Sequence, residues 1–262
     1  MKKVIIIIVS FNQSSELKKC VSSLNKMQFS SNLKPEILLI NNGQKTQTRL
    51  LTKIPLKIIH HNKNLGFAKA INRGIKEGIK NKGQYFLIIN PDTIVSPGLL
   101  KSLSSFLIND EKLGIIAPII KFKRDKKTVY DYGGNLNWWL GRPKHQEKTQ
   151  FFKHKLIFPE YVSGCCMLIK KEVFDKIGFF DEKFFLYFED VDFCLRAQKA
   201  GFKLVINPQA VILHNLNEQR SWFKKYHLLT SNLIFINKYI VWWRRPIALF
   251  YWVFLTVKLF LS

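Results

Sequence analysis

The sequence predicts an α/β fold: a doubly wound, mostly parallel sheet flanked by helices, followed by a basic, aromatic, helical tail. Three observations predict it. Short runs rich in Ile, Val and Leu alternate with segments of helical periodicity through the first half of the chain. The first run, Val4–Val9, is continuous and β-branched, as in a strand covered on both faces. Polar residues follow several of the runs, at the strand ends where such a sheet presents its ligand site.

The elements follow in order. Val4–Val9 is the first strand, and a helix begins near Ser14, where "SSEL" supplies a cap and an early acid. "EILLI" and "LKIIH" are the second and third strands. In "GFAKAINRGIKEGIK" the residues Phe67, Ala70, Ile71, Ile75 and Ile79 share one helical face. "YFLII" is a fourth strand. Pro97 then suits the first turn of a helix running to about Ile108, and "LGIIAPII" is a fifth strand. From Lys121 to Lys155 the pattern weakens, and a long, partly irregular excursion is expected around "GGNLNWWLGRP". "YVSGCCMLIKKEVF" reads as a strand leading into a helix. A helix near Asp190–Ala200 and two short strands, "FKLVI" and "AVILH", complete the domain, taken as residues 1–217.

Composition narrows the function. Of 262 residues, 47% are hydrophobic, enough for a real core. Lys and Arg number 42 against 18 Asp and Glu, a net charge of +24, which suits an anionic partner. The basic residues are spread and no RNA- or DNA-binding motif is present, so nucleic acid is set aside. Cys20, Cys165, Cys166 and Cys194 form no C-x-x-C pair and lack zinc spacing, which fits buried reduced thiols in a cytosolic protein. The apolar run after Met1 is too short for a signal peptide.

The tail, 218–262, changes character. Its apolar run Pro246–Val257 is shorter than the roughly 20 residues a spanning helix needs. Trp242, Trp243 and Trp252 suit the headgroup level, and Arg244, Arg245 and Lys258 can meet anionic lipid, so an interfacial helix is expected. A helix packed on the domain is the alternative.

Three polar strand ends converge: Ser10 and Asn12 after the first strand, Asn41 and Asn42 after the second, and Asn90, Asp92 and Thr93 after the fourth. Asp92 offers a carboxylate to a hard cation, Mn2+ or Mg2+, which neutralises a diphosphate. His214, closing "AVILH", can complete that site. A second concentration stands out in so basic a chain. Asp181, Glu182, Glu189, Asp190 and Asp192 lie within twelve residues, among aromatics. Glu189 and Asp190 fall at a predicted helix start, where the macrodipole favours ionised acids, and Asp192 can pair with Arg196 four residues on. A carboxylate left free in such a pocket is a general base toward a hydroxyl.

The succession "VSFN", "NNG", "NKNLGFAKAINRGI", "NPDT" and the long stretch from Ser163 to His214 closely resembles glycosyltransferase family 2 over roughly Lys3 to His214. Within that family the likeness is to the bacterial rhamnosyltransferase and galactofuranosyltransferase branch. The resemblance implies a GT-A fold and inverting transfer from a nucleotide-diphosphate sugar. It implies Asp190 as catalytic base with Glu189 and Asp192 in support, and Asp92 and His214 as metal ligands. Ser10, Asn12, Asn41, Asn64, Gly66, Asn72 and Asn90 fall on the nucleotide-sugar side. Asn41 replaces the family's usual Asp, so any contact there with the nucleotide base is uncharged. The implied donor is dTDP-L-rhamnose, with UDP-galactofuranose or another UDP-hexose next. With the tail, this points to a lipid-linked or cell-surface saccharide acceptor at the cytoplasmic face of the membrane, where the chain is peripheral. An inactive family member that binds membranes is the rival of another class.

Overall fold

A computed structural model describes residues 1–11, 15–43, 50–152, 155–215 and 221–261. The first strands and helices are β1 (Lys2–Ser10), α1 (Ser15–Leu24), β2 (Leu33–Asn42), β3 (Leu56–His61), α2 (Phe67–Lys80) and β4 (Tyr85–Ile89). Then come β5 (Thr93–Val95), α3 (Leu99–Asn109), β6 (Leu113–Arg124), β7 (Lys127–Asn137) and β8 (Arg142–Lys148). The chain continues through β9 (Cys166–Lys170), α4 (Lys171–Ile177), α5 (Glu189–Lys199) and β10 (Lys203–His214). It closes with α6 (Trp222–Tyr239) and α7 (Arg245–Leu261).

The strands form one sheet in the order β3-β2-β1-β4-β9-β6-β10-β5, with β7 and β8 continuing as a hairpin from β6. β1, β2, β3, β4, β6 and β10 run the same way, while β9 and β5 are reversed. The predicted α/β class is therefore the observed one. One edge of the sheet gathers the C-terminal ends of all six parallel strands.

The period-2 alternation of strands splits the core in two. Ile5, Ile7 and Val9 of β1 face one side, under α2, α4 and α5. Val4, Ile6 and Ile8 face the other, under α1 and α3. Every residue from Val4 to Ile8 is fully buried, each worth about 1.5–3 kcal/mol of burial. That double coverage explains why the run reads as continuously apolar.

Four expectations need correction. The stretch Lys121–Lys155 is mostly regular: β6 extends to Arg124, and Asp125 and Lys126, both at positive φ, turn the chain into β7. These strands were hard to read because the turn from β6 into β7 lacks glycine and β8 is Lys-rich and largely exposed. "FKLVI" and "AVILH" are one strand, β10, with a register break between Asn207 and Val211, where Pro208 cannot donate to the ladder. Pro97 precedes the helix rather than entering it, since Gly98 is the cap. The three-residue β5, absent from the expected strands, pairs with the end of β10. Ser14 and Asn12 lie outside the described residues.

Candidate active site

On the common strand edge, Ser10, Asn41 and His60 lie at the ends of β1, β2 and β3, and with Leu17, Leu39, Leu50 and Ile58 they line a cleft. Nδ2 of Asn41 lies 3.3 Å from Nδ1 of His60. His60 was missed in the sequence although it closes the third strand; only pairing with β2 aligns it with Asn41.

The loop before α2 is held from within. Asn42 donates to Asn64 Oδ1 and to the Gly66 carbonyl, and it accepts from Leu65 N; Asn64 Oδ1 also accepts from Gly66 N. Gly66 has φ +78°, and a Cβ there would collide with Phe185. Phe67 N donates to the Phe185 carbonyl at 2.7 Å, so this loop and the acid-rich segment are joined by backbone. Asn72 is buried, with its amide engaged by Phe180 and Glu182, and it fastens that segment to α2.

Asp92 and His214 meet because the "NPDT" turn reverses the chain: β5 runs antiparallel to β10, with Thr93 opposite His214. His214 Nε2 is 3.1 Å from Asp92 Oδ1, and both side chains are largely buried. Burial disfavours the imidazolium, but Cys165 and Asp92 outweigh it and raise His214 to about 11. Asn90 keeps a buried Oδ1 without a partner among the described residues. A carboxylate and an imidazole suit a divalent cation. No cluster of three or more such ligands occurs among the described residues, so diphosphate oxygens and water would complete the shell.

The acid cluster sorts itself by environment. Tyr187 (φ 70°) and Phe188 (φ 67°) both take left-handed conformations, at a cost of about 1–3 kcal/mol each, and turn the chain into α5. Phe188 packs on Phe235 of α6, which helps hold that turn. Asp190 accepts from Gly164 N through Oδ2 and from Val191 N through Oδ1, each at 2.8 Å. Burial raises its pKa, and the two amides oppose the rise. Glu189 is buried and its Oε2 has no partner among the described residues; burial and then the Asp190 charge push it well above the usual carboxylate range. Of the two, Asp190 has the amide donors that favour its ionised form, and Glu189 the stronger push toward its neutral form.

Asp192 is fully buried and turned elsewhere. It binds Arg196 Nε at 2.8 Å, as its spacing predicted, and also Tyr239 OH and Lys238 Nζ of α6, each at 2.6 Å. α6 is thus bonded to α5; its Ser231 and Asn232 donate to the carbonyls of Leu186 and Gly141. Nothing in the sequence pairs Tyr239 with Asp192, because the contact spans 47 positions. The four cysteines are buried free thiols.

The model of the family described as "Glycosyl transferase family 2" matches residues 5–178. The chain belongs to this family. It is therefore a glycosyltransferase, and its relatives narrow the branch. It is 25% identical over 269 residues to the N-acetylglucosaminyl-diphospho-decaprenol L-rhamnosyltransferase of Mycobacterium tuberculosis, covering 92% of this chain and 87% of that one. It is 25% identical over 186 residues to rhamnosyltransferase WbbL of Escherichia coli, covering 65% and 67%. Among solved structures, GalNAc-T7 with UDP, GalNAc and Mn2+ superposes with TM-score 0.68 at 18% identity, over 88% of this chain and 48% of the other. This glycosyltransferase spans about half that protein's length. The mannosyltransferase PcManGT of Pyrobaculum calidifontis, in complex with GDP-Man and Mn2+, gives 0.62 at 13% identity over 94% and 67%. These likenesses establish the GT-A fold.

Proposed function

We propose that this glycosyltransferase transfers L-rhamnose, with inversion, from dTDP-L-rhamnose to a lipid-linked saccharide. The observation that carries the reading is the polarised acid pair at the start of α5. Asp190 is held by two backbone amides and stands in a glycosyltransferase fold beside a loop joined to the nucleotide-side helix. In the reaction the acceptor oxygen bonds to the sugar's anomeric carbon, its proton passes to Asp190, and the bond to the nucleoside diphosphate breaks. Ser10, Asn41 and His60 would border the nucleotide base, and Asn90 would supply its free carbonyl oxygen to the donor. Asp92 and His214 would hold Mn2+ or Mg2+, which when bound stabilises the charge on the departing diphosphate. The rhamnosyltransferase relatives favour the sugar; the decaprenyl-diphosphate substrate in the mycobacterial relative's name favours a polyprenyl-diphosphate acceptor. UDP-galactofuranose is the second donor, favoured by His214 standing beside Asp92, as the galactofuranosyltransferase resemblance implies.

The site of action would be an anionic membrane surface on the cytoplasmic side, with the chain peripheral. No helix among the described residues is long and apolar enough to cross a membrane. Yet α7 leaves Phe250 at 79% exposure, with Trp242 just before the helix at 78% and Phe254 and Phe260 also open. Arg244, stacked between Trp139 and Trp243, lies beside them. An apolar face edged by cations suits an anionic leaflet.

The test is transfer of radiolabelled sugar to a polyprenyl-diphosphate N-acetylglucosamine, from a panel of dTDP- and UDP-sugars, with Mn2+ and with chelator. Rhamnose transfer that stops on chelation is expected; transfer of a different sugar would replace the donor, and no transfer from any would overturn the reading. In flotation with phosphatidylglycerol vesicles the full chain should rise with the lipid. A chain ending after Val241 should not, and equal recovery of both would remove α7 from membrane binding.

A further inference from the structure

The hairpin β7–β8 carries a charged pair that the reaction as described does not use. Asp131 is buried, and its two oxygens are divided: Oδ1 accepts from Gly133 N at 2.9 Å, and Oδ2 lies 2.8 Å from Nδ1 of His145. The ladder slips register between Asp131 and Gly134, and Gly133 there has φ +82°, so a bulge re-aims the Asp131 side chain. Gly134, opposite His145 in register, bridges to Tyr161, whose ring lies so close that a Cβ at Gly134 would overlap it. The same ring meets His145 edge-on at 5.4 Å. Three residues further along, Gly164 N donates to Asp190. The hairpin, Tyr161 and the Asp190 carboxylate thus form one continuous assembly.

We propose that His145, oriented by Asp131, is a positioning residue for Asp190: as the imidazolium it keeps that carboxylate in the ionised form able to take the acceptor's proton. Several groups face the pair. Glu189 lies on Asp190's own helix and Asp131 and Glu147 on the hairpin; Tyr161 meets His145 edge-on, and Cys194 lies on Asp190's helix with its thiol on the Val162 carbonyl. Burial opposes the charge on His145, but Asp131, Asp190 and Glu147 together raise its pKa, while His145 in turn lowers that of Asp190. The buried Tyr161 hydroxyl, which has no hydrogen-bond partner among the described residues, is neutral beside them, its pKa pushed up by burial and these carboxylates. A neutral wall and a locked cation make the Asp190 charge less costly where burial alone would protonate it.

The inference rests on Asp190 as the base, and the experiment separates the two. Full-length protein labelled at the aspartate carboxyl carbon is titrated by NMR, with the Asp190 signal assigned by its loss in Asp190→Asn. His145→Gln should raise the Asp190 midpoint by roughly one pH unit or more, and the acid limb of the transfer profile should move with it. His145→Lys keeps a cation and should stay near the parent value. An unmoved midpoint in His145→Gln, or an equal rise in both variants, overturns the assignment of His145. Normal transfer by Asp190→Asn overturns the base reading instead, and with it the catalytic half of the proposal, whatever the titration shows.

Discussion

Asp190 and Asp192 are two residues apart on one helix, and their surroundings are opposite. Asp192 is answered by a guanidinium, an ammonium and a phenol, so its charge is neutralised and fixed. Asp190 takes its hydrogen bonds from two neutral amides, with His145 acting on it only through space, and stands beside a second acid, Glu189, whose Oε2 has no hydrogen-bond partner among the described residues. A carboxylate that is fully paired holds a structure together but has no use for a proton. One that is ordered without being neutralised remains basic. The difference between scaffold and chemistry here is thus one of partners, with burial common to both.

The largest effect that would break this comparison is on transfer. Asp190→Asn keeps shape and amide bonds while removing the proton acceptor, and should lower transfer by about two to four orders of magnitude. Thermal unfolding should be little changed. Near-normal turnover would put the base elsewhere, and a folded but inactive Glu189→Gln would move it one residue back. Asp192→Asn should do the reverse. It leaves Arg196 and Lys238 facing a neutral group, with a loss of about 3 kcal/mol in unfolding free energy. Transfer per folded molecule should survive.

Two smaller effects sharpen it. Tyr239→Phe removes one bond to a charged acceptor and should cost about 1.5 kcal/mol in chemical denaturation. Glu189→Gln tests the sign of the acid pair. The folded protein holds the Glu189 proton above the ordinary value of 4.5, so the wild type binds more protons folded than unfolded. Its stability relative to Glu189→Gln should therefore fall as pH rises from about 4.5, and level off above the raised folded value. Unfolding curves across that range that stay parallel would show Glu189 ionised in the native state.

What the sequence disclosed was whatever depended on short periods. The β-branched run of β1, the face of α2 and the turn residues after three strands were all readable because neighbours in the chain are neighbours in the fold. The Asp192–Arg196 pair was readable for the same reason. Asp92 and His214 were paired in one site from their residue types and the family resemblance, while the element that brings them together, the three-residue β5 lying against β10, was not foreseen. Asp131 and His145 were invisible, because the glycine-free turn into β7 and the exposed, Lys-rich β8 hid both strands, and the bulge that aims Asp131 leaves no periodic trace. The tail was read as one membrane-associating unit, although only its second part is a nearly pure apolar run. Phe235 is in the main core, whereas most of the large apolar side chains of α7 are open.

The hydroxyl of Tyr239, on the last residue of α6, decides where this chain can be divided. Shortening it to Lys238 would cut the bond to Asp192 and loosen the helix that bears Asp190, so lost activity would be mistaken for lost membrane contact. Beyond Ile240 that risk ends: α7 meets the remainder chiefly through α6, by Trp252 on the Leu229 carbonyl and Lys225 on that of Leu259. Engine and address label are separable, and the perforation between them runs through 241–244. A different anchor grafted at that line would send the same catalyst to another surface.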